Sequence, residues 1–347
     1  MIRVAELYAE LRMHASHEWT MSMLGRSLVV YARCDELATA ACQSMSIWRT
    51  PALEAGFKPD EVCVVELCSR AAFQINTAGL TASRTFHHPN MGTFVVYELD
   101  DGSAVVQPGR GVVLCSTTGE MVWLVDDALL AGERDRWPNL TDLATVITAE
   151  ILRRGGRFLA HAGGVGHRGR CLLLTGESGS GKTTLTVRKV IEGWDFYGDD
   201  MVIVGRDPDG RWRVHPFWRP VHLTPDTLKL LGGLRVQSTN CTISNKVQCD
   251  IAELVPVIRP APGLIEAVFC LRPGWHPEMP QLLSKADALS TLGATFLSGF
   301  NSHTAEHDLD NLLEFLTAMP VYQASWSTGS QAVDLFLGDR KAHADER

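Results

Sequence analysis

The chain has 347 residues, of which 45% are hydrophobic and 21% are charged, and its formal net charge is −8. This length can bury one large core or two ordinary ones, and it favours two domains. Because no basic stretch offsets the acidic balance, a general nucleic-acid-binding role is excluded.

The N-terminus and the cysteines indicate the cellular compartment of the protein. Glu6 and Glu10 lie in the first turns, so the apolar core of a signal peptide is absent, and no run of 18 apolar residues predicts a membrane span. The nine cysteines are an odd number without a Cys-x-x-Cys pair. We therefore expect a cytoplasmic protein whose cysteines are reduced core residues.

The first 140 residues predict an α+β domain. A helix is predicted over residues 3–14, where Val4, Leu7 and Leu11 recur at helical spacing. The adjacent His87 and His88 have no third ligand nearby, so we interpret them as an exposed loop pair. Strands are predicted over residues 27–33, 61–68, 93–99, 104–106 and 112–115, with a hairpin turn at residues 100–102.

A helix is predicted from Thr141 to Arg154, with a domain boundary near residue 140. Residues 157–163 and 170–175 then predict a pair of strands joined by a turn at residues 167–169. This hairpin would place His161 beside the segment that follows, although a lone histidine in a strand is usually structural.

Residues 170–184 read Arg-Cys-Leu-Leu-Leu-Thr-Gly-Glu-Ser-Gly-Ser-Gly-Lys-Thr-Thr. An apolar strand, a glycine-rich loop and a helix follow one another, which is the order that a phosphate-binding loop requires. The glycines let the backbone amides turn inward, Lys182 reaches the β- and γ-phosphates, and the Thr183 hydroxyl can ligate Mg²⁺. We predict that ATP binds through Gly176, Glu177, Ser178, Gly179, Ser180, Gly181, Lys182, Thr183 and Thr184.

Two adjacent carboxylates, Asp199 and Asp200, stand directly before the apolar residues 201–204. Such a pair is costly beside a buried strand unless a cation or hydrogen bonds neutralise it. We therefore predict that Thr183, Asp199 and Asp200 serve a Mg²⁺ site, with an acidic turn as the alternative. Beyond them, a hairpin turn is predicted at residues 207–210, helices over 286–297 and 305–319, and strands over 265–271 and 321–326.

His161, the phosphate loop and the aspartate pair together resemble the catalytic domain of the HPr kinase/phosphorylase superfamily, whose nucleotide core is related to phosphoenolpyruvate carboxykinase. That family carries a histidine about fifteen residues before the loop and paired aspartates after the loop helix, and both are in register here. The resemblance covers roughly residues 156–326. A Pro-Phe-Trp-Arg-Pro stretch at residues 216–220 replaces the glycine-rich signature of HPr-directed enzymes. The likeness is therefore closer to divergent peptide-modifying members, including lasso-peptide kinases that phosphorylate a serine.

Sequence pattern predicts the N-terminal α+β domain over residues 1–140, and polar composition predicts a disordered tail over residues 338–347. For the catalytic domain, expected over residues 141–337, the resemblance implies an α/β fold with a mixed-sheet P-loop core. It implies transfer of the γ-phosphoryl group of ATP to a hydroxyl. One of Asp199 and Asp200 would bind Mg²⁺ with Thr183 and the other would accept the hydroxyl proton, with His161 tuning it. Arg219 and Lys246 would contact the transferring group, beside Lys182.

The acceptor that this interpretation favours is a serine of a precursor peptide or small protein, presented with help from the N-terminal domain. A kinase for a free amino acid or sugar remains an alternative. So does a P-loop NTPase or nucleotide-binding switch without a phosphoacceptor. We expect no nucleic-acid or membrane partner, and the sequence leaves assembly into a homo-oligomer open.

Overall fold

The computed structural model describes residues 3–23, 26–45, 61–68, 79–88, 92–126, 141–232, 239–241, 246–256, 260–273, 279–293 and 302–337. The chain divides into two compact units. The first consists of Met1–Gly155 with Ser298–Asp308, and the second of Gly156–Leu297 with Leu309–Arg347. The division after Gly155 differs from the boundary predicted near residue 140, because the intervening helix groups with the first unit.

The first unit is built on a mixed sheet. Its strands have the order β1-β2-β3-β8-β7-β6-β5-β4 among the described residues. Strand β3 pairs in parallel with β2 and β8, and the other neighbours are antiparallel. The elements are α1 (Val4–Met13), β1 (His17–Met23), β2 (Arg26–Ala32), α2 (Asp35–Met45), β3 (Glu61–Cys68), β4 (Ala82–His88), β5 (Gly92–Leu99), β6 (Gly102–Gln107), β7 (Gly111–Ser116), β8 (Glu120–Asp126) and α3 (Thr141–Arg154).

Helix α1 packs on this sheet through Val4 and Tyr8, which share an apolar cluster with Val64. The predicted turn before β6 also caps the helix, since the Asp101 carboxylate accepts hydrogen bonds from the backbone of Val4 at 3.0 Å and of Ala5 at 3.2 Å. The predicted strands of this unit are present, and β1, α2, β4 and β8 are additional. His87 lies in β4 and not in a loop, and its Nδ1 is 3.2 Å from Thr93 Oγ1.

The second unit also contains parallel and antiparallel strands. Its elements are β9 (Arg157–Ala160), β10 (Gly163–His167), β11 (Arg170–Gly176), α4 (Lys182–Ile191), β12 (Asp195–Gly198), β13 (Val202–Arg206), β14 (Trp212–His215), β15 (Val221–Leu223), α5 (Pro225–Leu230), β16 (Thr239–Cys241), β17 (Lys246–Cys249), α6 (Ile251–Leu254), β18 (Gly263–Leu271), β19 (Gln281–Leu282), α7 (Lys285–Leu292), α8 (Ser302–Ala318), β20 (Val321–Ala324) and α9 (Trp326–Leu337). Helix α8 spans residues of both units.

The main sheet has the order β12-β10-β11-β18-β14-β13-β9, and β20 joins it beside β18. Strand β18 pairs in parallel with β11 on one side. On its other side, β14 pairs with the start of β18 and β20 with its end. On one face of the sheet, Leu173 of β11 packs in an apolar cluster with Val204 and Phe315. On the other face, Leu172 and Leu174 pack in a cluster with Leu185 of α4. Strand β11 is therefore buried on both faces, which explains its continuous apolar sequence.

A separate antiparallel sheet has the order β15-β17-β16. Val221, Leu223 and Cys249 of this sheet are buried in the same cluster as Leu185. The small sheet is thereby packed next to the helix that follows the phosphate loop.

Two predictions for this unit are corrected. The predicted strand over residues 157–163 is interrupted at residues 161–162, so β10 forms the hairpin with β11, and β9 pairs with β13. The predicted strand over residues 321–326 ends at Ala324, and α9 follows it. The predicted tail over residues 338–347 lies outside the described residues. No described helix is long and apolar enough to cross a membrane.

Candidate active site

The loop between β11 and α4 has the backbone geometry of an anion cradle. Gly176, Gly179 and Gly181 adopt positive φ angles of 138°, 81° and 93°, a region that residues with a Cβ rarely enter. A Cβ on Gly176 would also lie 2.3 Å from the carbonyl oxygen of Leu271. The loop therefore requires glycine at its first position, and helix α4 begins directly after the last one, with its free amides facing the loop.

Lys182 closes the loop on itself. Its side chain is 7% exposed, and Nζ donates to the carbonyl oxygens of Gly176 at 2.6 Å and Glu177 at 3.0 Å. These bonds hold the ammonium group at the mouth of the loop, where it would meet the β- and γ-phosphates of a nucleotide.

The remaining predicted loop residues contribute in different ways. Glu177 and Ser178 are exposed, whereas Ser180 is buried. The hydroxyl of Thr184 bonds that of Thr227 at 2.8 Å, and Thr227 in turn belongs to the first turn of α5. Thr184 therefore fixes α5 through its side chain, and any contact with a nucleotide would come from its backbone amide.

Asp199 lies between β12 and β13 and is buried. The Thr183 hydroxyl donates a hydrogen bond to its carboxylate, while Oδ1 has no hydrogen-bond partner among the described residues. Burial raises the pKa of Asp199 to about 7, the neighbouring charge of Asp200 acts in the same direction, and the Thr183 bond opposes the shift. A carboxylate in this state gains from a nearby cation.

A Mg²⁺ ion fits these two residues. The orphaned Asp199 oxygen and the Thr183 hydroxyl are hard oxygen donors, which Mg²⁺ prefers. Within the part of the chain that the structure describes, no cluster of three or more His, Cys, Asp or Glu side chains is suited to a metal. That result is compatible with Mg²⁺, which commonly takes one or two protein oxygens and completes its shell with phosphate and water.

Asp200 differs from Asp199 in its backbone conformation and in its exposure. Its φ angle of 67° places it in the left-handed region, which aspartate tolerates better than most residues. Its side chain is 42% exposed, and Oδ1 lies 3.3 Å from His161 Nδ1. Pairing of Ala160 with Val202 brings the two side chains together, because they flank the ends of β9 and β13.

The charges of the site act on one another. Burial lowers the pKa of His161, the carboxylate of Asp200 opposes this, and Lys182 adds to it. Burial also lowers the pKa of Lys182, with Asp200 and Asp199 opposing and Lys246 adding to the shift. The side chains of His161, Lys182, Asp199, Asp200 and Lys246 therefore interact electrostatically within one site.

The segment that precedes β15 is fixed against β12. The backbone N–H of Phe217 donates to the Tyr197 carbonyl at 2.7 Å, and the Trp218 indole N–H donates to the Phe196 carbonyl at 2.9 Å. These bonds set the position of Arg219, the next residue in the chain. Residues 216–220, which replace the glycine-rich signature of HPr-directed enzymes, are thus held in place beside the site.

Arg219 and Lys246 both lie near the predicted residues, although 27 positions separate them in the sequence. The charge of Arg219 acts on His161 and on His222, and the charge of Lys246 acts on Lys182 and on His222. Electrostatic interactions therefore link the six side chains predicted to be catalytic, and their catalytic roles stay predictions: His161, Lys182, Asp199, Asp200, Arg219 and Lys246.

His222 was not predicted. It lies in β15 between Val221 and Leu223, and its ring interacts electrostatically with Asp200. One sequence signal could have identified it, since a histidine between two buried aliphatic residues faces away from the core in a strand.

Comparison with known proteins gives little beyond this geometry. No protein-family model matches the chain, and no curated protein matches it. Among solved structures, the chain is similar to the HPr(Ser) kinase/phosphatase from Coxiella burnetii at 10% identity and a TM-score of 0.29, over 54% of this chain and 98% of that one. A TM-score this low carries no weight, and the predicted likeness to lasso-peptide kinases finds no support in these comparisons.

Proposed function

We propose that the chain is a cytoplasmic ATP-dependent kinase that transfers the γ-phosphoryl group to the hydroxyl of a serine on a peptide or small protein. The observation that carries the proposal is the His161–Asp200 pair at 3.3 Å beside a glycine loop with a buried lysine. A module that only binds phosphate needs the loop, but it has no use for a half-exposed carboxylate held by a histidine.

The loop amides and Lys182 bind the triphosphate, and Thr183 with Asp199 holds Mg²⁺. When bound, the ion offsets the negative charge of the β- and γ-phosphates. Assigning the metal to Asp199 follows from its burial, its bond from Thr183 and its unpartnered oxygen. Asp200 keeps the exposure that an incoming acceptor requires.

Transfer then needs a base and charge stabilisation. The acceptor oxygen forms a bond to the γ-phosphorus while the bond to the β,γ-bridging oxygen breaks, so that ADP leaves. Asp200 accepts the proton of the acceptor hydroxyl, and His161 holds that carboxylate in place. Arg219 and Lys246 offset the charge of the moving group with Lys182.

The net charge of the chain and the edge strands of the first unit favour a peptide acceptor. The net charge of −8 disfavours a highly anionic substrate. Strands β1 and β4 end the first unit's sheet, and each is hydrogen-bonded on one side only among the described strands. An edge of this kind accepts an extended peptide as an additional strand.

The direct test is incubation with ATP and Mg²⁺ and the peptides encoded beside the gene, followed by mass spectrometry. We expect one added phosphate on a peptide serine, and no addition with the Asp200→Asn variant. Phosphorylation of free amino acids or sugars alone would replace the peptide with a small-molecule acceptor. ATP hydrolysis without any phosphorylated acceptor would instead indicate an NTPase or a switch.

A further inference from the structure

Strand β15 separates its side chains between two faces. Val221 and Leu223 are buried in the cluster that contains Leu185 of α4. Because successive side chains of a strand point to opposite faces, His222 projects from the other face of the small sheet. Its ring is nevertheless partly buried, so it projects into a confined space and not into bulk solvent.

Strand register places a cation on the same face. His222 pairs with Gln248 across the antiparallel ladder, and Lys246 lies two residues before Gln248 in β17. Residues two apart share a face, so Lys246 is a diagonal neighbour of His222. Arg219 enters from the segment just before β15, and the charges of both cations act on the histidine.

This face is directed at the end of the phosphate loop. Asp200 acts electrostatically on His222, and Lys246 acts on Lys182. Geometry also holds β15 beside the phosphate loop, because Thr184 in the first turn of α4 bonds Thr227 at 2.8 Å, and Thr227 lies in α5, which follows β15 directly. Lys182 is the residue that reaches the β- and γ-phosphates, so the group that best fits beside this face is the terminal phosphate.

We propose that His222 binds the γ-phosphoryl group of the nucleotide through a ring N–H, and so distinguishes the triphosphate from the diphosphate. The proposal rests on the proposed function and adds a residue and a subsite to it. Burial lowers the pKa of His222, the charge of Asp200 opposes this shift, and Arg219 and Lys246 add to it. A neutral imidazole retains one N–H donor, which suits a phosphoryl oxygen without adding another positive charge.

Calorimetry of the full chain tests this without knowledge of the acceptor. The probes are Mg²⁺ with ADP, with the β,γ-imido analogue of ATP, and with ADP plus tetrafluoroaluminate, which mimics the moving phosphoryl group. For His222→Ala we expect binding of the second and third probes to weaken about tenfold or more, because a hydrogen bond to a charged group is lost. ADP binding should stay within about twofold.

Two controls separate this role from a structural one. His222→Gln keeps an N–H donor and should recover part of the lost affinity for the imido analogue. His167→Ala changes a histidine at the far end of β10, next to Trp194, and should leave all three affinities unchanged. The thermal midpoint of each variant verifies that it is folded.

Each other outcome overturns the proposal. Equal weakening of ADP and of the imido analogue would assign His222 to the architecture of the loop, and unchanged binding of all three probes would remove it from the site. If the wild-type chain bound none of the probes, the proposed function would itself be wrong. Tight binding by the wild-type chain with no effect of His222→Ala would leave the kinase intact and reject the γ-phosphoryl role alone.

Discussion

Both units bury carboxylates, but the groups around those carboxylates differ. In the first unit, the Glu150 side chain is 1% exposed and lies 3.7 Å from Arg153 and 3.4 Å from Arg154, all on helix α3. In the second unit, Asp199 lies beside another carboxylate, Asp200, and retains an oxygen without a hydrogen-bond partner. An oxygen of Glu150 also lacks a hydrogen-bond partner among the described residues, so the difference lies in the nearest charges. Two guanidinium groups offset Glu150, whereas Asp199 has a carboxylate neighbour that is only partly offset by Lys182 and Thr183, so a cation would stabilise it further.

Burial of charge does not by itself mark a site. Buried acids occur in both units, and the sign of the nearest charge distinguishes them: arginines beside Glu150 and a second carboxylate beside Asp199. A substitution at Glu150 should therefore reduce stability and leave ligand binding intact, while substitutions around Asp199 should do the opposite.

The largest effect is expected for Lys182→Ala. Loss of the ammonium group at the mouth of the loop should lower ATP affinity and turnover by roughly 10²–10³-fold, because the β- and γ-phosphates lose their cation. Lys189→Met is the matched control, since Lys189 is equally buried but is neutralised by Asp334 at 2.7 Å and Glu192 at 2.8 Å. It should cost stability and keep ATP binding. Calorimetry that showed unchanged affinity for Lys182→Ala would reject the loop assignment.

Substitutions of the two aspartates should affect different properties, namely ligand affinity for Asp199 and turnover for Asp200. Asp199→Asn removes the carboxylate bonded by Thr183, and Mg²⁺ dependence and nucleotide affinity should fall together, each about tenfold or more. Asp200→Asn should keep affinity within about twofold and lower turnover about 10²-fold, because the acceptor hydroxyl loses its base. Titrations of Mg²⁺ and ATP measure both. Equal and mild losses in the two variants would indicate an acidic turn.

In the first unit, Glu150→Ala should cost roughly 3 kcal/mol of unfolding free energy, because breaking a buried ion pair leaves its charge uncompensated. ATP affinity should not change. Glu6→Ala is the control in the same unit: Glu6 pairs with Arg3 at 3.0 Å, but both side chains are more than half exposed, so its effect should stay below about 1 kcal/mol. A loss of ATP binding in Glu150→Ala would contradict a purely structural role.

The sequence predicts the features that depend on residues close together in the chain, and it misses those that depend on distant segments. The loop, helix α4 and the Asp199–Asp200 pair were found because their signals lie within about thirty consecutive residues. The interruption of the strand at His161 was missed, because it depends on pairing of β9 with β13, some forty residues later. A continuous apolar run does not reveal where its partner strand changes.

The same limit explains two further errors in the second unit. The proposed role of His222 depends on its pairing with β17, which supplies Lys246. No local sequence pattern connects these two segments. The predicted strand extends to Trp326 because that aromatic residue stands two positions after Ala324, but Trp326 begins α9. Val333 and Leu337 of α9 are buried in the same cluster as Leu185 of α4, and such tertiary packing outweighs the local β propensity.

The smallest effect concerns a buried group of the second unit outside the site. His215, at the end of β14, is 5% exposed, and burial, with Arg157 adding to the shift, lowers its pKa to about 4 from an unperturbed value of 6.5. The folded state therefore holds this ring neutral while the unfolded chain takes up a proton below about pH 6.5. Its contribution to stability is complete above pH 6.5 and is lost as the pH falls towards 4, so about 2 kcal/mol should disappear by pH 5. Urea unfolding at pH 7.5 and pH 5 should show a smaller pH-dependent loss for His215→Gln than for the wild-type chain. Identical losses would mean that the histidine is hydrated in the folded state, and that the burial of its ring imposes no preference on its charge.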